Sequence, residues 1–152
     1  WYLRKAFPVF VGKKELGKGI PSISFNLKYG GAVLIDRKNP KEALKDIKAF
    51  GERLVITNGS VVIFPEGTRS NGAKPRAFQL GGIKQLINAM PQAKLVGITI
   101  NNSWKLSRNG YFPMGIGAKI KIKMHPPVNL ASYQVLETLE QLEKTIIADI
   151  NS

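Results

Sequence analysis

Phe64-Pro65-Glu66-Gly67-Thr68-Arg69-Ser70 is the stretch on which the reading of the chain turns. It follows Val61-Val62-Ile63-Phe64, an apolar β-branched run with the length of a buried strand. The run then breaks into a turn holding one carboxylate, one glycine and one guanidinium. Such a turn is a common place for an anion site. Glycine admits positive φ and lets backbone N–H groups come close to a ligand, and arginine forks two hydrogen bonds onto a phosphate. Taken alone, Pro65-Glu66-Gly67 reads as a turn after a strand and nothing more. The rest of the chain decides between the two readings.

Upstream, Phe7–Val11 reads as a short buried strand with Pro8 near its start or at an edge, followed by the polar loop Gly12–Leu16. Pro21 suits the first turn of a helix running to about Lys28 and ended by Gly30-Gly31. Ala32–Ile35 is a second buried strand, with Asp36-Arg37 at its carboxyl end. Asn39-Pro40 is an N-cap followed by proline at the first helical position. Ala43, Leu44, Ile47, Phe50 and Leu54 then recur at helical spacing until Asn58-Gly59 stops the helix.

Downstream, the basic loop Asn71–Ala77 leads through Phe78–Gly82 into a helix over about Ile83–Ala89, and Leu95–Ile100 is another strand. Residues 101–117, rich in Asn, Ser and Gly, read as irregular. Ala118–Met124 alternates, with Ile120, Ile122 and Met124 on one face and Lys119, Lys121 and Lys123 on the other. The lysines are expected on the solvated outer face of an edge strand, with a membrane- or ligand-facing role as the alternative. An amphipathic helix over about Ser132–Ile150 closes the chain.

This order predicts an α/β layered domain with a largely parallel central sheet flanked by helices, one domain spanning residues 1–152. Three strand ends, Val11, Ile35 and Phe64, are each followed by a loop bearing a cation: Lys13, Arg37 and Arg69. Ligands of open α/β sheets gather at the carboxyl ends of strands, so the expectation is an anion pocket built from three separated cations.

Composition narrows the partner. With 43% hydrophobic and 22% charged residues the chain is globular, and with no cysteine it has neither a disulfide framework nor a cysteine-based zinc site. The net charge of +13 is uneven: residues 1–130 hold 22 basic and 6 acidic side chains, a formal +16. Such a surface attracts phospholipid, nucleic acid or a phosphorylated substrate. Lys and Arg are not interleaved with aromatic residues in the manner that stacks bases, which argues against nucleic acid. No apolar run reaches the roughly 18–20 residues of a membrane span, and no secretory signal pattern is visible. The chain begins at Trp1 rather than methionine, and the expectation is that the natural protein continues upstream.

At this point the ordered series of motifs resembles the glycerolipid acyltransferases, in particular the 1-acylglycerol-3-phosphate (lysophosphatidate) acyltransferases. Val11-Gly12-Lys13-Lys14-Glu15-Leu16 looks like the family's lysine block, and Gly31–Arg37 like the block ending in a substrate-binding arginine. Phe64–Ser70 is similar to its most recognisable string, with Phe78 and Gly81 matching the segment after it. Order and spacing agree over roughly residues 7–100. Two departures stand out. The family's catalytic histidine, with an aspartate five residues on, is absent; the only histidine, His125, has Leu130 five residues later and is expected to be a structural or surface histidine, not a displaced base. The family's usual valine–proline reads Val96-Gly97 here.

The resemblance implies transfer of an acyl group from acyl-CoA or acyl carrier protein to the hydroxyl of lysophosphatidate, giving phosphatidate, with no resident cofactor and no metal. It implies substrate-binding roles for Lys13, Arg37, Glu66, Gly67, Thr68 and Arg69, and a catalytic His/Asp block lying upstream of Trp1. Glu66 is expected to order the loop by pairing with a cation, or to accept a hydrogen bond from the glycerol hydroxyl. The implied location is the cytoplasmic face of a membrane, peripheral or anchored by an upstream segment. Two alternatives stay open: a catalytically inactive basic phospholipid-binding module, and an acyltransferase for another lysolipid or an ornithine lipid.

Overall fold

The computed structural model describes residues 8–17, 21–68, 75–107, 115–129 and 135–150. Two compact units make up the chain, Trp1–Pro65 with Leu80–Pro91, and Glu66–Gln79 with Gln92–Ser152.

In the first unit the three upstream apolar runs become parallel strands: β1 (Val9–Lys13), β2 (Val33–Ile35) and β3 (Val61–Val62), in the order β2-β1-β3. Val11 pairs with Val33 and Lys13 with Ile35, while Phe10 pairs with Val62. Between β1 and β2 lie a 3-10 turn, Lys14–Gly17, and helix α1 (Pro21–Tyr29). The expected buried strand through Phe64 is shorter. Ile63 and Phe64 leave the ladder, and the Phe64 ring is 57% exposed, stacked on Phe10 at 6.5 Å.

Helix α2 (Pro40–Ile56) starts and stops where its sequence signals lie. Asn39 Oδ1 accepts from the Glu42 N–H, and Asn39 Nδ2 donates to Glu42 Oε2. At the other end Asn58 takes φ 48°, and the Gly59 N–H closes back on the Leu54 carbonyl. The buried face of α2 (Ala43, Ile47, Phe50, Leu54) packs with Val11 and Ile35 of the sheet and with Leu86 and Met90.

Helix α3 (Leu80–Ala89) begins about three residues before the sequence reading placed it. Gly81 and Gly82 are poor helix formers, but a side chain on Gly82 would come 3.1 Å from Ile63 and 3.2 Å from Ile47. Close packing outweighs propensity here. The same holds for Gly51 within α2, where an added Cβ would meet the Ala89 Cβ at 2.7 Å. Gly51→Ala gains helix propensity, yet it should destabilise the protein by about 1–3 kcal/mol in a denaturant melt, because α3 cannot keep its approach.

In the second unit the run Leu95–Ile100 is split: β4 (Lys94–Leu95) and β5 (Ile98–Asn101) flank Val96-Gly97. β5 pairs antiparallel with β6 (Lys121–Met124), and β4 with β7 (Val128–Asn129), a strand the sequence reading did not contain. Residues 103–107, expected to be irregular, form a 3-10 turn.

Helix α4 (Val135–Ile150) buries Leu139 and Ile146 as its apolar stripe predicts. β6 is fully exposed along its length, as an edge strand would be, but its faces are not divided as expected. Lys123 reaches Asp149 of α4 at 2.8 Å, while Ile122 and Met124 stand open with Ile98 and Ile100 of β5.

A glycine at position 97 has a spatial reason. A Cβ there would lie 2.7 Å from Leu142 and 3.3 Å from both His125 and Ile146. The position is thus limited by the room left by the Leu142 and Ile146 side chains of α4 and by His125.

Candidate functional site

The parallel pairing of β1 and β2 brings two of the predicted cations to one edge. Lys13 is the last residue of β1, in register with Ile35, the last of β2, and Arg37 follows two residues later. Both side chains are exposed. The turn holding Arg37 is fixed by its neighbour: Asp36 Oδ1 accepts from the Lys38 N–H at 2.9 Å, and the Asp36 carbonyl from the Asn39 N–H at 3.2 Å. Asp36 is thus engaged by the backbone, and among the described residues no ion pair engages Arg37.

Lys13 Nζ lies 3.2 Å from Glu15 Oε1. The hydrogen bond from its own backbone N–H, joined by Lys13, holds the Glu15 carboxyl below its ordinary value, against desolvation and the negative charge of Asp36. The sign follows: a carboxyl lowered in the folded state contributes at neutral pH, and that contribution fades only as pH falls through the lowered value. Glu15 is given no role of its own from the sequence, although a carboxylate two residues after Lys13 on a turn is a readable signal. An anion arriving at Lys13 must compete with it.

The seven-residue motif passes from the first unit to the second between Pro65 and Glu66. Within the second unit, Glu66 Oε2 accepts from the Arg76 N–H at 3.0 Å. One oxygen of Glu66 is thus held by a backbone donor ten residues on, and among the described residues no ion pair engages it. Glu66→Ala should remove that bond, worth about 0.5–1.5 kcal/mol locally, and speed hydrogen exchange at the Arg76 amide about tenfold.

Gly67 takes φ 70°, a conformation glycine adopts without strain, and Thr68 is exposed beside it. Arg69, the predicted phosphate fork, lies outside the described residues. The Phe78 N–H, just after the loop, donates to Glu143 Oε1 of α4 at 2.8 Å.

His125 is buried, with Nε2 2.8 Å from Thr99 Oγ1 and 3.4 Å from Asp149 Oδ2, and its backbone N–H donates to the Gly97 carbonyl. It ties β5, β6 and α4 together, the structural role expected of it. Among the described residues no three His, Asp or Glu side chains cluster as metal ligands, and no helix is long and apolar enough to cross a membrane.

Three parallel strands in the order β2-β1-β3, connected through helices, make the first unit an α/β layer, with Lys13 and Arg37 at the carboxyl ends of two of them. A family model described as Acyltransferase matches residues 1–101, and the chain belongs to that family. A 1-acyl-sn-glycerol-3-phosphate acyltransferase of Helicobacter pylori is 38% identical over 98 residues, 64% of this chain and 40% of that protein. One from Haemophilus influenzae is 28% identical over 135 residues, 87% of this chain and 52% of that protein. The crystal structure of the 1-acyl-sn-glycerophosphate (LPA) acyltransferase, PlsC, from Thermotoga maritima shares the fold. Its TM-score is 0.63 at 22% identity, over 95% of this chain and 56% of that one. The chain thus spans 40% to 56% of the length of these three proteins.

Proposed function

We propose that this chain is the acceptor-binding part of an O-acyltransferase that acylates 1-acylglycerol-3-phosphate to phosphatidate. The observation that carries the reading is the shared edge of β1 and β2. Lys13 and Arg37 are exposed there, and Asp36, the carboxylate beside Arg37, is engaged by a backbone N–H. A phosphate monoester is the acceptor feature that two such cations favour. The relatives named above supply the reaction type. Roles for Glu66, Gly67, Thr68 and Arg69 rest on the family resemblance and belong to this proposal.

In the reaction the acceptor hydroxyl attacks the thioester carbonyl of acyl-CoA or acyl carrier protein. The carbon–sulfur bond breaks, and the thiol leaves with the proton that the hydroxyl gives up. A hydroxyl needs a general base for this step. His125 is buried against Thr99 and Asp149 and does not serve as that base. The edge residues hold and orient the acceptor. The working location is the cytoplasmic face of a phospholipid membrane.

The test is calorimetric titration of residues 1–152 with glycerol 3-phosphate and with glycerol, followed by an acyl-transfer assay. The expected result is binding of the phosphate ester alone and no turnover by this chain by itself. Robust turnover would overturn the assignment of the base outside these residues. Equal, salt-abolished binding of any polyanion would favour the inactive basic module instead.

A further inference from the structure

We infer that the outward aromatic face of α1, with the 3-10 turn beside it, is the surface by which this chain docks on an anionic phospholipid bilayer. Phe25 and Tyr29 stand one helical turn apart with ring centroids 4.6 Å from each other, and they are 63% and 68% exposed. Leu16 on the adjoining turn is also exposed, and the Ser24 hydroxyl donates to its carbonyl at 3.3 Å, setting turn and helix side by side. Exposed aromatics grouped with an exposed leucine are unusual on a surface that meets only water.

The charge of this stretch of sequence, with Lys13 and Lys14 exposed at the turn, names the partner. Residues 13–29 hold four lysines and one glutamate, in a chain of net charge +13. Aromatic rings that settle at the headgroup level, beside lysines drawn to anionic lipid, are the composition of an interfacial segment. The face is also continuous with the edge already described, because the turn begins at Lys14, directly after Lys13. Docked this way, the Lys13 end of β1 sits at the depth of lipid phosphates. This last point rests on the proposed function; the docking surface does not.

The test uses the whole chain with vesicles of phosphatidylcholine alone and of phosphatidylcholine with about one-third phosphatidylglycerol. Partition is read by co-sedimentation, with melting midpoints checked for every variant. The parent should prefer the anionic vesicles. Phe25→Asp with Tyr29→Asp should lower partition at least tenfold while leaving glycerol 3-phosphate binding in the absence of vesicles unchanged. Phe25→Trp should keep partition, and its added emission should shift to the blue and be quenched by brominated lipid.

Undiminished partition of the double aspartate variant, or emission of the Phe25→Trp variant that vesicles leave unmoved, overturns the inference. So does a double variant that loses self-association in sedimentation velocity but still binds vesicles, for then the face is a contact between copies. A parent that binds vesicles through this face yet ignores glycerol 3-phosphate upholds the surface and sinks the acceptor reading.

Discussion

Replacing Lys13 or Arg37 with alanine is expected to weaken glycerol 3-phosphate binding by about 10- to 100-fold, since a hydrogen bond to a charged group contributes roughly 1.5–3 kcal/mol. The melting midpoint should hardly move, because both side chains are exposed, Lys13 at the end of β1 and Arg37 in the turn after β2, and carry none of the core. The two variants should not behave alike. Lys13 holds Glu15 at 3.2 Å, so Lys13→Ala also leaves a carboxylate at the edge with its partner removed. That negative charge repels the incoming phosphate. Lys13→Ala combined with Glu15→Gln should therefore bind better than Lys13→Ala alone, and Glu15→Gln should also give a smaller recovery to Arg37→Ala, where it frees Lys13 from its competing carboxylate. Lys45→Ala, on the exposed side of α2, is the control and should bind as the parent does. Calorimetric titration at two salt concentrations reads all of these.

Phe50→Ala should cost about 3–5 kcal/mol in a urea melt, the range for emptying a phenylalanine site in a packed core. Phe50 is 4% exposed and sits where α2 meets both the sheet and α3, among Ile47, Leu54, Leu86 and Met90. Its ring also lies under the Arg53 guanidinium at 5.1 Å, and Arg53 in turn donates to the Gly31 carbonyl at 2.8 Å, just ahead of β2. Loss of the ring thus loosens the anchor of β2 as well as the core. Phe50→Leu, which retains most of the volume, should lose less than half as much. A Phe50→Ala protein that melts like the parent would mean that α2 is not packed as described.

Where the sequence was legible, a local signal and a tertiary demand agreed. Asn39-Pro40 and Asn58-Gly59 bounded α2 because caps act through their own backbone, and the β-branched runs ending at Val11 and Ile35 became the parallel strands that carry Lys13 and Arg37. Where it misled, packing had overruled local preference. Gly81 and Gly82 look like loop residues, yet α3 includes them, and at position 82 the glycine lets the helix pack tightly on Ile47 and Ile63, where a Cβ would stand 3.1–3.2 Å from their methyl ends. Val96-Gly97 reads as the middle of a strand, yet β4 and β5 pair with different strands, β7 and β6, and the stretch between those partners holds Pro126-Pro127, which have no N–H to give to a ladder.

The alternation of β6 was correct in period, but nothing in a single strand says which face a helix will cover. Lys123 found Asp149 on α4, 26 residues away, and the isoleucines were left outside. The site shows the same limits. The positions of Lys13 and Arg37 were readable from strand ends, but the pairing of Glu15 with Lys13 and of Glu66 with the Arg76 amide were not, since each depends on how a turn closes.

The most direct measurement is an amide chemical-shift titration of the labelled chain with glycerol 3-phosphate against glycerol. The account predicts saturable shifts concentrated at residues 13–15 and 36–38, weakened but not abolished by added salt, and none with glycerol. Shifts scattered instead over the lysines of α2, vanishing in salt, would contradict it and leave a basic surface without an acceptor site.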